Sequence, residues 1–176
     1  VAKVDGVEAL SARLLFSDSI RSSRSSTIRV VRVTAVDPER ESRFSALAAK
    51  VVEGGFVVPP TEALSEGAPE RVRRRKGILL GIKLAQQLNV ELGSKVRVDT
   101  AGFHGATTAA AFYVTGIMKT GTDAFDKQMV LVSLADMQEV TGAGDAVHEM
   151  AVMAREGDDL DLLSQRIDDA VAAANS

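Results

Sequence analysis

The sequence predicts a mixed fold of the α+β class, because strand patterns and helix patterns alternate along the whole chain. Strand patterns are runs of β-branched residues, as in residues 27–36, or apolar residues that alternate with charged ones, as at Val96 and Val98. Helix patterns repeat apolar residues every three or four positions, as in residues 134–140. The chain has 176 residues, 45% of them hydrophobic and 26% charged, which suffices for one ordinary domain or two small lobes with a shared core.

The first third of the chain predicts two strands and one helix. An apolar pattern over residues 7–15 predicts a strand that enters an exposed turn at residues 17–26, which are rich in serine and arginine. Residues 27–36 predict a second strand, whose apolar phase slips by one residue and indicates either a bulge or burial on both faces. Helical spacing over residues 44–51 predicts a helix that ends at Gly54.

The middle of the chain predicts a loop, a helix between two strands, and a hairpin. Residues 57–76 are polar and hold three of the four prolines, which predicts a surface loop. Residues 77–98 predict a short apolar strand, a glycine turn, a helix over residues 82–88, a second glycine turn and an alternating strand. Residues 99–111 are rich in glycine, alanine and threonine and predict a hairpin tip.

The last third predicts further strands and two helices. The strands are predicted at residues 112–114, 129–132 and 147–153. Ser133 predicts the N-cap of a helix that ends at Gly142, with Asp136 as the capping-box partner. The final helix begins at Asp158-Asp159. It is predicted to bury four apolar residues, Leu160, Leu163, Ile167 and Val171.

The residue inventory predicts no catalytic, cofactor or metal site, and therefore no enzyme. The chain has no cysteine, and its two histidines, His104 and His148, fall in different elements. Asp123 and Asp126 are interpreted as turn and capping residues rather than as cation ligands. The glycine-containing segments lack the lysine of a phosphate-binding loop, and no serine lies in a nucleophile-elbow pattern. The net charge of −3 gives no general attraction to nucleic acid.

One cluster of basic residues is the candidate contact site. Five of six consecutive residues are basic: Arg71, Arg73, Arg74, Arg75 and Lys76. The structural interpretation is a solvated loop, and the functional one is contact with anionic lipid headgroups or an acidic partner. Replacement of all five by serine is expected to leave the fold intact and to weaken function if the functional interpretation holds.

Residues 77–98 and 114–134, in this order, resemble the extracytoplasmic domain of a family of ABC-transporter permeases. Residues 7–14, 33–39 and 52–55 are similar to earlier segments of the same domain. The family is that of the macrolide exporters and the lipoprotein-releasing permeases, the FtsX-like permeases. The resemblance covers most of the chain, and it is the order and spacing of the segments that make it specific.

The resemblance implies two lobes and a place outside the cytoplasmic membrane. Residues 1–36 and 127–176 would form a discontinuous α/β lobe similar to part of the porter domain of multidrug efflux pumps. Residues 37–126 would form an inserted β-rich lobe with one or two short helices. The domain would lie on the periplasmic side of the bacterial inner membrane, between the first two membrane helices of a permease.

The resemblance also implies a mechanical and non-catalytic function. A cytoplasmic ATPase subunit would drive the membrane helices, and this domain would move against a second permease copy or a paralogue. Cargo would pass to a periplasmic carrier or adaptor protein. Phe125-Asp126 and residues 132–138 are closer to the lipoprotein-releasing permeases than to the macrolide exporters. The hairpin at residues 99–111 is short and lacks proline, which favours the non-recruiting subunit type or a related exporter.

Two alternatives remain open on the sequence alone. One is a stand-alone extracytoplasmic module that binds a soluble ligand or a protein, and the other is an enzyme, for example an α/β-hydrolase fragment. The chain begins at Val1 in the middle of a pattern, without a start methionine or a signal peptide, so we expect it to be an excised fragment. No apolar run approaches the roughly 20 residues that a membrane helix needs.

Overall fold

The computed structural model describes residues 1–57, 75–103 and 105–174, and these form strands and helices in alternation. The strands are β1 (Val7–Ser22), β2 (Ile28–Val36), β3 (Val51–Gly54), β4 (Lys76–Gly81), β5 (Lys95–Ala101), β6 (Thr107–Met118), β7 (Met129–Ser133) and β8 (Glu149–Ala154). The helices are α1 (Pro38–Phe44), α2 (Ile82–Leu88), α3 (Asp123–Gln128), α4 (Leu134–Thr141) and α5 (Leu160–Ala174), and a short 3-10 turn spans Ala48–Lys50. The mixed α and β content predicted from the sequence is confirmed.

Six strands close into a ring in the order β2-β7-β4-β6-β5-β1, because β1 pairs back onto β2. The β2–β7 and β4–β6 pairs are parallel, and the other pairs in the ring are antiparallel. Strand β1 is long enough to serve three partners: β2 on one edge, and β8 and then β5 on the other. Strand β3 pairs with the end of β6.

The main core lies inside this ring, where the inward residues of the strands meet α2 and α4. Phe112, Leu14, Ile20 and Met137 are fully buried there. A second, smaller cluster packs on the other face of the sheet. It consists of Val36, Val57, Leu79, Met118 and Leu131. Burial of apolar surface at about 25 cal/mol per Å² makes these two clusters the main source of stability.

The predicted exposed turn at residues 17–26 is wrong for its first six residues, since β1 continues to Ser22. Asp18, Ile20 and Ser22 point inward and are buried, while the alternate residues face out. The serines and arginines there mark the outer face of a half-buried strand. Of the two interpretations of the phase slip in β2, the bulge is absent, because the register with β1 is continuous from Ile28 to Val36. Burial on both faces occurs only at the end of the strand, at Ala35 and Val36.

The predicted helix over residues 44–51 is also wrong, because the helix lies earlier in the chain. Asp37 caps α1: its side chain accepts hydrogen bonds from the backbone N–H groups of Glu39 (3.0 Å) and Arg40 (3.2 Å). Pro38 occupies the first turn, where its missing N–H costs nothing. Residues Val51–Gly54 form β3 instead, since β6 offers them a partner strand.

Helices α2 and α4 lie where predicted, but two details of the helix predictions fail. Ser133 lies at the N-cap of α4 without a side-chain capping bond, so the predicted capping box with Asp136 is not formed. In α5, Leu163 is buried, whereas Leu160 is 67% exposed and Val171 is 42% exposed. The predicted apolar stripe of α5 is therefore only partly covered.

The division into two lobes stays a prediction. Strands β4, β5 and β6, from the segment 37–126, share one sheet with β1, β2, β7 and β8. Within the described part of the chain, each helix is too short or too polar to cross a lipid bilayer.

Candidate functional site

A groove of about 830 Å³ opens where β2 and β7 end side by side. The two strands are parallel, so Val36 and Ser133 reach the same edge, and α1 and α4 begin directly after them. The groove is lined by Asp37, Pro38, Glu39, Ser42, Phe56, Val57, Ser133, Leu134, Ala135 and Gln138. Half of these residues are apolar and half are polar or charged, a mixture found in sites that bind small molecules or partner segments.

Asp37 is the carboxylate in this groove considered for an acid or base role, but both of its oxygens already have partners within the protein. One of its oxygens caps α1, and the other lies 3.5 Å from Nε of Arg40. Within residues 1–57, 75–103 and 105–174, no group of three or more His, Asp or Glu residues could hold a metal ion. The apolar side chains of Phe56 and Leu134 line the groove, which suits contact with a bound ligand.

Helix α4 separates this groove from the end of the basic run. Lys76 Nζ lies 2.8 Å from Oε2 of Glu139 and 3.9 Å from Oδ1 of Asp136, and its side chain is 16% exposed. Burial raises the pKa of Asp136, and the positive charge of Lys76 acts in the opposite direction. The guanidinium of Arg75 lies over the ring of Tyr113, 4.4 Å from its centre.

The basic run is therefore divided by its surroundings. Arg75 and Lys76 have intramolecular partners that fix the start of β4 to β6 and α4. Arg71, Arg73 and Arg74 lie outside the described residues, as does His104. Contact of the run with lipid or with an acidic partner stays a prediction.

Asp126 and Asp123 hold the turn before α3 and its neighbours. Asp126 is buried, and its Oδ1 accepts hydrogen bonds from the N–H and the hydroxyl of Thr120, both at 2.7 Å. Burial works to raise the pKa of Asp126, but these hydrogen bonds lower it below its usual value. Asp123 pairs with Lys83 and with Lys127. The contacts with Thr120 agree with the interpretation of Asp126 as a turn residue, whereas Asp123 forms ion pairs instead of a cap.

His148 also has a structural place. Its Nδ1 accepts a hydrogen bond of 2.9 Å from the backbone N–H of Leu15, and its ring packs edge-on against Phe16. His148 therefore connects the start of β8 to β1, and this backbone hydrogen bond occupies its Nδ1.

Asp18 is the titratable group that the sequence interpretation missed. It points into the ring beside Val31, is 6% exposed, and its Oδ2 has no hydrogen-bond partner within the described residues. Burial raises its pKa to about 6, and the hydroxyl of Thr100 acts in the opposite direction. Extension of the strand to Ser22 would have revealed it, because Asp18 shares the parity of the core residues Leu14 and Ile20.

Asp18→Asn is expected to stabilise the protein above pH 6 by about 1 to 2 kcal/mol and to change little at pH 4. The raised pKa of Asp18 means that the folded protein holds this proton more tightly than the unfolded chain. The stability that the bound proton of Asp18 contributes is therefore fully present below about pH 4, and it is lost as the pH rises through about 6. The measurement is urea unfolding of both proteins at pH 4, 5, 6 and 8. A difference between them that does not vary with pH would contradict the assignment.

The family assignment rests on a sequence comparison that covers almost the whole chain. The model of the MacB-like periplasmic core domain matches residues 1–170. The chain belongs to this family. It is thus a MacB-like periplasmic domain, of the type found in ABC-transporter permeases.

Solved structures share the fold of this MacB-like domain at low sequence identity. The extracellular domain of the noncanonic ABC-type transporter YknZ from Gram-positive bacteria is 16% identical, with a TM-score of 0.62 over 92% of this chain and 73% of that chain. The periplasmic region of MacB from Actinobacillus actinomycetemcomitans is 10% identical, with a TM-score of 0.60 over 98% of this chain and 70% of that chain. None of the curated proteins compared with the chain matches it.

Proposed function

We propose that this MacB-like domain is a non-catalytic coupling element of an ABC-transporter permease that releases or exports a lipoprotein or another hydrophobic cargo. The match of residues 1–170 to the MacB-like periplasmic core domain carries this proposal. The partners would be a second permease copy or a paralogue, a cytoplasmic ATPase subunit reached through the membrane domain, and a periplasmic carrier or adaptor protein.

Two features of the molecule support a mechanical role. The sheet connects residues near both ends of the chain, because β1 belongs to the closed ring and also pairs with β8. Movement imposed at either end would therefore be passed to the whole sheet rather than absorbed by a hinge between strands. The groove beside α4 adds an apolar surface, with Phe56, Val57 and Leu134, that suits a hydrophobic cargo.

A lipoprotein is the proposed cargo because of the segment around α3 and α4. Phe125-Asp126 and residues 132–138 resemble the lipoprotein-releasing permeases more than the macrolide exporters. Strand β5 ends at Ala101 and β6 begins at Thr107, so the connection between them is short, and we propose the subunit type that does not recruit the carrier.

Replacement of residues 1–176 by a glycine-serine linker in the complete permease is expected to abolish cargo release and to preserve ATP hydrolysis. The reason is that the ATPase belongs to another chain, whereas the transfer of motion to the cargo belongs to this domain. The measurement is ATP-driven release from proteoliposomes that contain the permease and its ATPase. Cargo release at the level of the intact transporter would refute the coupling role and favour a stand-alone binding module.

The same proteoliposomes test the basic run. Arg71→Ser/Arg73→Ser/Arg74→Ser is expected to slow release in vesicles with anionic lipid and to have no effect in neutral vesicles, since each basic group near an anionic surface contributes about 1 kcal/mol. Arg75 and Lys76 are kept because they contact Tyr113 and Glu139. The matched control removes three exposed charges elsewhere, Lys3, Arg32 and Lys95. Equal effects of the two triple variants would refute the lipid contact.

A further inference from the structure

Strand β8 forms an open edge of the sheet. In the described part of the chain it pairs with β1 alone, so alternate N–H and C=O groups along its other side point away from the sheet. After Glu149, its five residues are all apolar, and Met150 is 45% exposed. An uncharged apolar edge of this kind is a template for another strand.

Other strands also have unpaired stretches in the described residues, and these carry charge: β3, which pairs only with β6, contains Glu53. Residues 28–31 of β2 extend beyond the ladder with β7, which begins at Arg32. Arg29 lies within that exposed segment, and Arg32 adjoins it. Charged residues on an edge oppose strand addition by a second copy. Strand β8 has no charged residue between Glu149 and Arg155.

Helix α5 follows β8 in the chain and also carries exposed apolar residues. It begins at Leu160, which is 67% exposed, and Leu162 and Val171 are 46% and 42% exposed. The helix is held near its first turns, where Leu163 packs beside Gly6 and Arg166 approaches Asp5. Exposed apolar residues therefore occur both on the strand and on the helix that follows it.

We propose that β8 pairs antiparallel with β8 of a second copy of this chain, about a two-fold axis that passes through Val152. This inference names the surface used by the second permease copy and rests on the proposed function in that respect. A two-fold axis normal to the sheet keeps every side chain on its own face, so a residue at the centre of the pairing lies opposite itself.

The charges at the ends of β8 select this register. With Val152 opposite itself, Glu149 of each copy lies opposite Arg155 of the other, so two oppositely charged pairs close the interface. Met150 then faces Ala154, and Ala151 faces Met153, which sets a large side chain against a small one at each position. The side chains of Glu149 and Arg155 are 44% and 59% exposed, and each lies 3.4 Å from an intramolecular partner, Arg13 and Asp5, with which the second copy would share it.

The alternative register, in which the two-fold axis lies at Ala151, accounts for less of the strand's sequence. If Ala151 lay opposite itself, Glu149 would face Met153, and Arg155 would extend past the end of the partner strand. That register buries a carboxylate against an apolar side chain and forms neither charged pair. The complementarity lies within the strand's own sequence, which identifies a second copy as the occupant rather than an unrelated peptide.

Val152→Cys tests the contact directly. The chain has no cysteine, so this variant carries one thiol per copy. Opposed residues in an antiparallel pair have Cα atoms about 4.5 to 5.5 Å apart, within the range that a disulfide spans. We expect mild oxidation at about 0.1 mM chain, well below the effective concentration inside an assembled transporter, to give a covalent dimer. Val30→Cys, also on a strand and 70% exposed, is the matched control.

Charge exchange then tests the register. In the Val152→Cys background, Glu149→Arg or Arg155→Glu alone sets like charges opposite each other at both ends. Each change is expected to slow cross-linking about tenfold, and an equimolar mixture of the two variants is expected to restore it, because the mixed pair is again complementary. Thermal unfolding of each variant under reducing conditions verifies that the fold is kept.

Cross-linking of Val152→Cys no faster than that of Val30→Cys would overturn the β8 interface. Fast cross-linking that the charge exchanges leave unchanged would overturn the register. Neither result bears on the transporter role, which the linker replacement tests in proteoliposomes whatever surface the copies share.

Discussion

Glu41→Ala is expected to lower the free energy of unfolding by about 3 kcal/mol, because it removes the main partner of the half-buried Arg13 guanidinium, whose side chain is 21% exposed. The Glu41 side chain is 2% exposed, and its Oε1 accepts a hydrogen bond of 2.8 Å from Nη2 of Arg13. Its Oε2 accepts from Nε of Arg13 at 3.1 Å and from the hydroxyl of Ser11 at 2.5 Å. The measurement is urea unfolding followed by far-ultraviolet circular dichroism.

The pair also joins three elements, which is why its loss extends beyond α1. Arg13 lies on β1, stacks over Phe44 at the end of α1, and approaches Glu149 of β8 at 3.4 Å. Burial alone would lower the pKa of Arg13, but the hydrogen bonds and the charge of Glu41 raise it. An arginine side chain stays charged in proteins even without such a partner, so the cost of removing Glu41 cannot be avoided by deprotonation.

Two controls separate the buried charge from other causes. Glu39→Ala removes the same side chain from an exposed position of the same helix and should cost less than about 0.5 kcal/mol. Arg13→Met/Glu41→Leu removes both charges and should cost far less than Glu41→Ala, since no charge is left unpaired. A double variant as unstable as the single one would show that shape, not charge, determines the loss.

The sequence was sufficient for elements whose residues interact locally. Helix α2 and helix α4 lie where the apolar spacing indicated, and Gly142 ends α4 with a positive φ of 70°. Strand β5 follows the alternation of Val96 and Val98. In each case the decisive pattern lies within one turn or one strand, so no distant residue is needed to interpret it.

Elements that depend on distant partners were misjudged. Serines and arginines at residues 17–22 are polar enough for a turn, and only pairing with β2 and β5 makes them a strand. Val51–Gly54 is a strand because β6 lies beside it, although its spacing also fits a helix. Strand β2 ends at Val36 as predicted, but the helix start that Asp37 and Pro38 form directly after it was not predicted.

The candidate site shows the same limit. The basic run was visible as composition, but the partners of Lys76 lie on α4, some sixty residues later in the chain. The groove arises because two parallel strands end together, which depends on the order of strands in the ring. Local sequence carries no record of that order, so Phe56 and Leu134 could not be recognised as neighbours.

Gly81 was recognised in the sequence, but the physical reason for a glycine at this position was not. The sequence suggested a turn glycine, yet its φ of −62° is open to any residue. Glycine is required here because there is no space for a side chain. A Cβ at this position would lie 2.4 Å from the carbonyl oxygen of Asp126 and 2.9 Å from the Cα of Asp126. The backbone of α3 therefore packs directly against the end of β4.

Gly81→Ala is accordingly expected to cost about 3 kcal/mol, at the upper end of the usual cost of an added methyl group in a packed interior. The clash is with backbone, so no rotamer change relieves it, and α3 must move. Displacement of α3 would also disturb Asp126, which is buried and bonded to Thr120. The measurement is again urea unfolding, with amide exchange of α3 to locate the change.

Gly93→Ala provides the contrast that makes this prediction decisive. Gly93 has a φ of 79° but no atom within 4 Å of a Cβ, so its substitution is expected to cost about 1 kcal/mol from backbone strain alone. If α3 packs closely against β4, Gly81→Ala must lower the free energy of unfolding more than Gly93→Ala does, although the φ of Gly81 is ordinary. The reverse order would mean that α3 is loosely packed in solution, and that the contact between β4 and α3 contributes little to the rigidity we attribute to the ring.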